Sequence, residues 1–153
     1  MIKHINFTDF INYSGGAVGS DRYWEITGKK YRFLNHNHFW YKFKNPYSSD
    51  DDEITEEQYQ EGIIYVKKAN LTLKRKNIER YLHLLSRNWQ QVKNADTIFA
   101  IGEFNTKTTL KGGTGWAVQM AIDIINQFLY LTRNQKNGIF TIIINLNIVI
   151  YLF

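Results

Sequence analysis

Phe10-Ile11-Asn12-Tyr13-Ser14-Gly15-Gly16-Ala17-Val18-Gly19-Ser20-Asp21 is the stretch whose reading sets the fold. Its first four residues suit a short strand, the glycines after them suit a tight loop, and Arg22 to Ile26 suits the opening of a helix. Strand, glycine loop, helix is the unit of a phosphate cradle. Glycines let backbone N–H groups approach an anion, and the following helix supplies its positive end. The unit recurs further along. Thr97-Ile98-Phe99-Ala100-Ile101-Gly102 is short and nearly all apolar, as expected of a parallel strand in mid-sheet, covered on both faces. A loop leads from it to Lys111-Gly112-Gly113-Thr114-Gly115, and Trp116 to Ile125 has helical spacing that turns Ala117, Met120, Ala121 and Ile124 inward.

Working outward, Tyr31 to Asn35 suits a second strand, and Asn45 to Asp52, which holds the only proline, Pro46, reads as a flexible polar loop. A helix is expected from Thr55, its N-cap in a capping box with Gln58, to about Asn70, burying Ile63, Val66 and Tyr59. Another is expected over Asn77 to Gln91, with Ile78, Tyr81, Leu82, Leu85 and Trp89 inward and Glu79, Arg80, His83 and Arg87 on the opposite face. Strands alternating with helices imply an α/β fold: a Rossmann-like three-layer sandwich with a mainly parallel sheet and right-handed crossovers. In such sheets ligands collect outside the carboxyl ends of the strands, so both glycine loops belong on that one edge.

The bulk properties narrow the function. The 153 residues suit one domain, and the sequence divides into a single domain over 1–126 and an atypical tail over 127–153. With no cysteine there is neither a disulfide framework nor a thiolate metal site, and no charged-then-apolar leader opens the chain, so a cytoplasmic protein is expected. The net charge of +5 is spread along the chain among acidic groups, which fits small anionic ligands and makes nucleic acid an unfavoured partner. No membrane association is expected: the apolar run from Ile139 to Phe153 is interrupted by asparagines and shorter than a span of about 20 apolar residues.

The ligand-binding candidates are Ser14, Gly15, Gly16, Gly19 and Asp21 in the first loop and Gly112, Gly113, Thr114, Gly115 and Gln119 in the second. One glycine pair is explained as well by a turn; two at matching places argue for a ligand. Asp21 either caps free N–H groups or accepts a ribose hydroxyl. Among Lys74, Arg75, Arg80 and Arg87, which lie between the loops in sequence, Arg75 and Arg87 are the candidates to grip phosphate oxygens with a guanidinium fork. His36 and His38, two apart, are expected to point to opposite faces if extended and so to form no metal pair. No metal and no cofactor are expected, and no catalytic residue is assigned.

Ser14-Gly15-Gly16-Ala17 with Gly19 and Asp21, Asn88-Trp89 with Gln91-Val92, Asn94-Ala95-Asp96, and Gly112-Gly113-Thr114-Gly115-Trp116-Ala117-Val118-Gln119-Met120-Ala121 together resemble a largely uncharacterised group in the SLOG superfamily. These Rossmann-like proteins are related to the lonely-guy phosphoribohydrolases, to lysine-decarboxylase-like proteins and to molybdenum-cofactor carriers. The resemblance covers most of Ile11 to Asp123. It implies binding of a phosphorylated nucleotide or of an NAD- or ADP-ribose-derived small molecule, as a sensor or sequestering module, in a protein that often forms homodimers. The hydrolytic members carry Pro-Gly-Gly-x-Gly-Thr-x-x-Glu, whose glutamate serves cleavage of the ribosyl bond. Here Gly112, Gly113 and Gly115 match, while Lys111, Trp116 and Gln119 stand in place of the proline, threonine and glutamate. Glutamine cannot exchange a proton as a carboxylate does, so binding is the leading expectation and hydrolysis of an N-glycosidic bond the alternative. After Asn126 the resemblance stops. A one-base shift of reading frame near Gln127 would restore the Phe-Asp-Gln pattern of related sequences, so the tail reads as a frameshift product, appended as a strand or a loose end.

Overall fold

In the computed structural model the described residues are 10–39, 51–106, 108–125, 135–136 and 139–145. The protein is mixed α/β. It divides into two compact units, Met1–Thr55 and Glu56–Phe153. The division falls inside the 1–126 span read as one domain, and residues of the tail add strands to the second unit.

In the first unit, strand β1 (Ile11–Ser14) leads through the first glycine loop to helix α1 (Ser20–Lys30), then to β2 (Leu34–Phe39) and β3 (Asp51–Glu53). β2 begins three residues later than the Tyr31 expected, because α1 runs on to Lys30 and Tyr31 closes it through bonds to the carbonyls of Thr27 and Gly28. The strands form a parallel sheet in the order β1-β2-β3, with Ile11 opposite Leu34 and Ser14 opposite Asn37. Asp51 and Asp52, read as part of a loop, belong to β3; the rest of that loop, Pro46 included, lies outside the described residues. Positions two apart in a strand share a face, so His36 and His38 occupy one face of β2, not opposite faces as expected.

The seam between α1 and its sheet is polar. Asn12, buried, donates from Nδ2 to the carbonyl of Trp24 and to Oδ1 of Asn35, both at 3.2 Å. A Cβ on Gly28 would collide with both asparagine side chains, which is why the helix approaches so closely there. Glu25, 4% exposed, pairs with Lys29 at 2.7 Å. On the other side of the sheet the register partners Ile11 and Leu34 are both exposed.

The second unit contains α2 (Glu56–Leu73), a 3-10 turn (Ile78–Tyr81), α3 (Leu82–Asn94), β4 (Thr97–Gly102), α4 (Thr114–Ile125), β5 (Gln135–Lys136) and β6 (Ile139–Asn145). Three helices pack on one another, and α4 packs on β4, around Val66, Leu85, Trp89, Val92, Met120 and Ala121. The buried stripe of α2 runs through Gly62, Val66 and Ala69: Val66 is buried as expected, while Gly62 takes the place expected for Ile63, and Ile63 and Tyr59 are half-buried. The shift has a steric cause: a Cβ on Gly62 would collide with the Ser86 carbonyl oxygen and reach Ser86 Cα at 2.8 Å, so α2 and α3 cross backbone to backbone there. Next to that crossing Tyr65 stacks on Trp89.

Two further expectations are corrected. The helix expected over 77–91 splits into a 3-10 turn and α3, which extends to Asn94, and Tyr81 at the junction is exposed rather than inward. Asn77, with φ 58° in the left-handed region, stands just before the 3-10 turn, and the split from α3 falls at Tyr81, whose backbone departs from helical values at φ −119° and ψ 4°. β4 has its expected bounds, but its neighbour is β6, paired antiparallel from Thr97 opposite Asn145 to Gly102 opposite Phe140, in a sheet of order β4-β6-β5. β4 is therefore an edge strand among the described residues. Ala100 is buried while Phe99 and Ile101 are half-exposed, so one face is covered, not both. On α4, Met120 and Ala121 are buried as expected, whereas Ile124 is exposed.

Candidate functional site

The second glycine loop is held from behind. Asn70, near the end of α2, accepts the backbone N–H of Arg75 on Oδ1 at 2.8 Å and donates from Nδ2 to the Arg75 carbonyl at 3.1 Å. Fixed at both backbone groups, Arg75 extends its guanidinium to the loop, donating from Nη1 to the Gly112 carbonyl at 2.6 Å and from Nη2 to the Leu110 carbonyl. The same guanidinium lies over the Trp116 ring, 5.4 Å from its centroid. Its burial lowers its pKa from the usual value, the mark of a cation taken partly out of water, where hydrogen bonds to carbonyls strengthen. Asn88 donates to the Gly113 carbonyl at 3.5 Å.

With these carbonyls turned inward, the loop presents its other side. Gly112 has φ 64°, a left-handed conformation that glycine adopts without strain. Gly115 must also be glycine, since a Cβ would collide with the Leu110 carbonyl oxygen and come within 2.7 Å of Arg75 Nη2. The loop closes with Trp116 N–H donating to the Gly113 carbonyl at 3.0 Å and Gly115 N–H reaching the Lys111 carbonyl at 3.4 Å. Among the described residues the N–H groups of Gly112, Gly113 and Thr114 have no backbone acceptor. Gly112 and Gly113 are exposed, and these N–H groups stand at the amino end of the twelve-residue α4, where its dipole is positive. Lys111, exposed, pairs with Glu103 at 2.8 Å, and that ammonium holds the Glu103 carboxyl below its usual value.

The first glycine loop is arranged differently. Asp21 Oδ2 accepts the N–H groups of Gly15 at 3.2 Å and Ala17 at 3.3 Å, and Ser14 Oγ accepts that of Gly16 at 3.1 Å. Asp21 thus holds N–H groups of the loop that precedes α1, and the amino end of α1 has no side-chain cap hydrogen bond. Gly15 and Gly16 are buried, and Gly19, with φ 113°, allows the sharp entry into α1. This loop holds its own carboxylate where the second loop holds none.

Arg75, expected to grip ligand, grips loop carbonyls. Arg87 is half-buried on α3, one turn after His83, whose pKa is lowered by burial and then by the Arg87 charge. Gln119 is buried and donates from Nε2 to Asp123 Oδ1 at 2.8 Å, one turn along α4. Within the second unit the structure thus brings together Gly112, Gly113, Thr114, Gly115 and Arg75; within the first it brings together Ser14, Gly15, Gly16 and Asp21. Sequence reasoning missed Asn70, whose amide meets the Arg75 backbone. Hydrophobic periodicity carries no signal of that contact.

Among the described residues no cluster of three or more His, Asp or Glu is placed to hold a metal ion, and no helix is long and apolar enough to cross a membrane. The fold and loops define a mixed α/β protein with a glycine-rich turn at the start of a helix in each unit. No protein-family model, curated protein or solved structure matches the chain.

Proposed function

We propose that the protein binds a phosphorylated, nucleotide-like small molecule, such as a nucleotide or an NAD- or ADP-ribose-derived signal, and senses or sequesters it in the cytoplasm. The observation that carries this reading is the second loop: three backbone N–H groups without a backbone acceptor among the described residues, at the amino end of α4, on a turn whose carbonyls are tied to Arg75 and Asn88. Donors held in place beforehand bind an anion without first having to be ordered. In the first loop the N–H groups of Gly15 and Ala17 are held by Asp21, the internal anion a phosphate would displace. The reading also takes in the resemblance to the SLOG superfamily and a Rossmann-like organisation of the parallel strands.

Gln119, donating to Asp123 inside α4, supplies no carboxylate for cleavage of a glycosidic bond, which favours binding over the N-glycosidic hydrolase reading. A thermal-shift series against AMP, NAD and ADP-ribose tests the proposal. A ligand selective for the folded state adds stability by mass action, about 2.7 kcal/mol at a hundredfold excess over Kd, and so raises the melting temperature. Chromatography of each stabilising ligand should recover it with its glycosidic bond intact. Absence of any shift across the series would refute the proposal.

A further inference from the structure

The outward side of α1 belongs to neither glycine loop. Glu25 and Gly28 are buried on its inner side, and Asp21, on that same side, turns its carboxylate to the first loop. Opposite them, at helical spacing, stand Tyr23, Ile26 and Lys30, all exposed, Tyr23 by 74%. Tyr23 and Lys30 are about two turns, or 10 Å, apart along the helix. Where the stripe ends, Lys30 Nζ sits over the exposed Tyr31 ring, 5.5 Å from its centroid.

The charge on this side is of one sign. The acidic residues of α1 are Asp21, which holds loop N–H groups, and Glu25, which is buried and paired with Lys29. Lys29, Lys30 and Arg32 are exposed, and among the described residues Lys30 and Arg32 enter no ion pair. Charge that the sequence spreads among acidic groups is thus sorted by the fold, which turns those groups away. Lys29 and Lys30 suit the negative end of the helix on structural grounds alone. Arg32 works against its own backbone. It lies past the helix with φ 63°, in a Schellman ending where Phe33 N–H donates to the Gly28 carbonyl at 2.8 Å and Arg32 N–H to the Lys29 carbonyl at 3.1 Å. Glycine takes that left-handed position without strain and arginine does not. What the arginine adds there is a cation next to Tyr31.

We infer that this side of α1 binds single-stranded nucleic acid, with phosphates on Lys30 and Arg32 and bases stacked on the rings of Tyr23 and Tyr31. Unpaired bases stack on exposed rings whatever their sequence, while cations track the backbone between them. An anionic membrane, the other partner of basic helices, draws on a continuous aliphatic face, and Ile26 is the one exposed large aliphatic side chain of α1. The surface is separate from the small-molecule reading and does not depend on it.

Fluorescence anisotropy of the full chain with a labelled oligouridylate of about 12 nucleotides is the test. Binding should weaken as salt rises. Arg32→Gly should weaken it further and reduce the slope of log affinity against log salt by about 0.7, the share of one phosphate on a single strand. The same variant, relieved of its backbone strain, should melt at or above the wild-type temperature, which separates a lost contact from a lost fold. If it melts lower, Lys30→Gln, at an exposed position, should give the same change of slope. Tyr23→Ala should lower affinity about 5- to 150-fold with the salt slope unchanged. Saturating ADP-ribose should leave the oligonucleotide bound, since the glycine loops lie elsewhere. An oligonucleotide that does not bind, that binds the variants as it binds the wild type, or that ADP-ribose displaces overturns the inference. Binding to phosphatidylserine vesicles in place of the oligonucleotide overturns it as well.

Discussion

Gly115 shows how one residue carries the second loop. Its missing side chain leaves room for the Leu110 carbonyl and the Arg75 guanidinium that holds it. Gly115→Ala should therefore lower stability by about 1–3 kcal/mol in urea unfolding, as overpacking does, and displace Arg75 from the loop. Arg75→Lys keeps the charge but replaces a fork with a single point, so it cannot bond two carbonyls in that geometry. If Arg75 acts by shaping the loop, Arg75→Lys should weaken ligand binding and lower stability together; a loss of binding with unchanged stability would instead make it a direct ligand contact. The glycines themselves were legible, since few residue types serve a tight turn before a helix. The partners of the loop were not. Asn70 to Arg75 to Leu110 and Gly112 is a chain of side-chain-to-backbone bonds, its longer steps crossing some 35 residues, and such contacts leave no periodic trace in sequence. For Asp21 the sequence left two roles open, because one carboxylate at a helix start suits either.

At the scale of elements, the α2–α3 crossing sets competing effects against each other. Alanine is favoured over glycine inside a helix by about 1 kcal/mol, so Gly62→Ala would stabilise an isolated α2. The Cβ would strike the Ser86 backbone, however, and forcing such a contact costs about 1–3 kcal/mol. We expect a net loss of up to about 2 kcal/mol, measured by denaturant midpoint; a gain would show that the helices separate easily. Helix positions and the burial of Val66 on α2 were legible from period and composition, but Ile63 was expected where Gly62 makes the contact, because a glycine contact is invisible to hydrophobic periodicity. β4 shows the same limit in a strand. Its apolar run fixed its bounds, while the direction of its neighbour depends on β6, in the stretch where the sequence changes character. An apolar run does not encode whether its partner is parallel.

For the whole molecule, proton binding links these contacts to stability. Burial pushes the Glu61 carboxyl up, but hydrogen bonds led by that from Lys93, at 2.9 Å, bring it below its usual 4.5. A carboxyl depressed in the folded state contributes stability that is present above 4.5 and lost as pH falls through the folded value. With Glu61 one-third exposed, solvent and salt screen the effect, so it should shrink in high salt. His83, depressed by burial and by Arg87, adds a limb of the same sign: stability is present above its usual 6.5 and falls as pH drops below it. His83→Gln should flatten the melting-temperature profile just below pH 6.5, and Glu61→Gln should flatten it below 4.5. Profiles that keep both limbs in the variants would assign acid sensitivity elsewhere. The central claim, that the second loop holds a phosphate on its N–H groups, is tested most directly by following backbone amide resonances while ADP-ribose is added. The account predicts large downfield shifts for Gly112, Gly113 and Thr114, with smaller shifts elsewhere in α4. Stabilisation by ADP-ribose with these three resonances unmoved would contradict it.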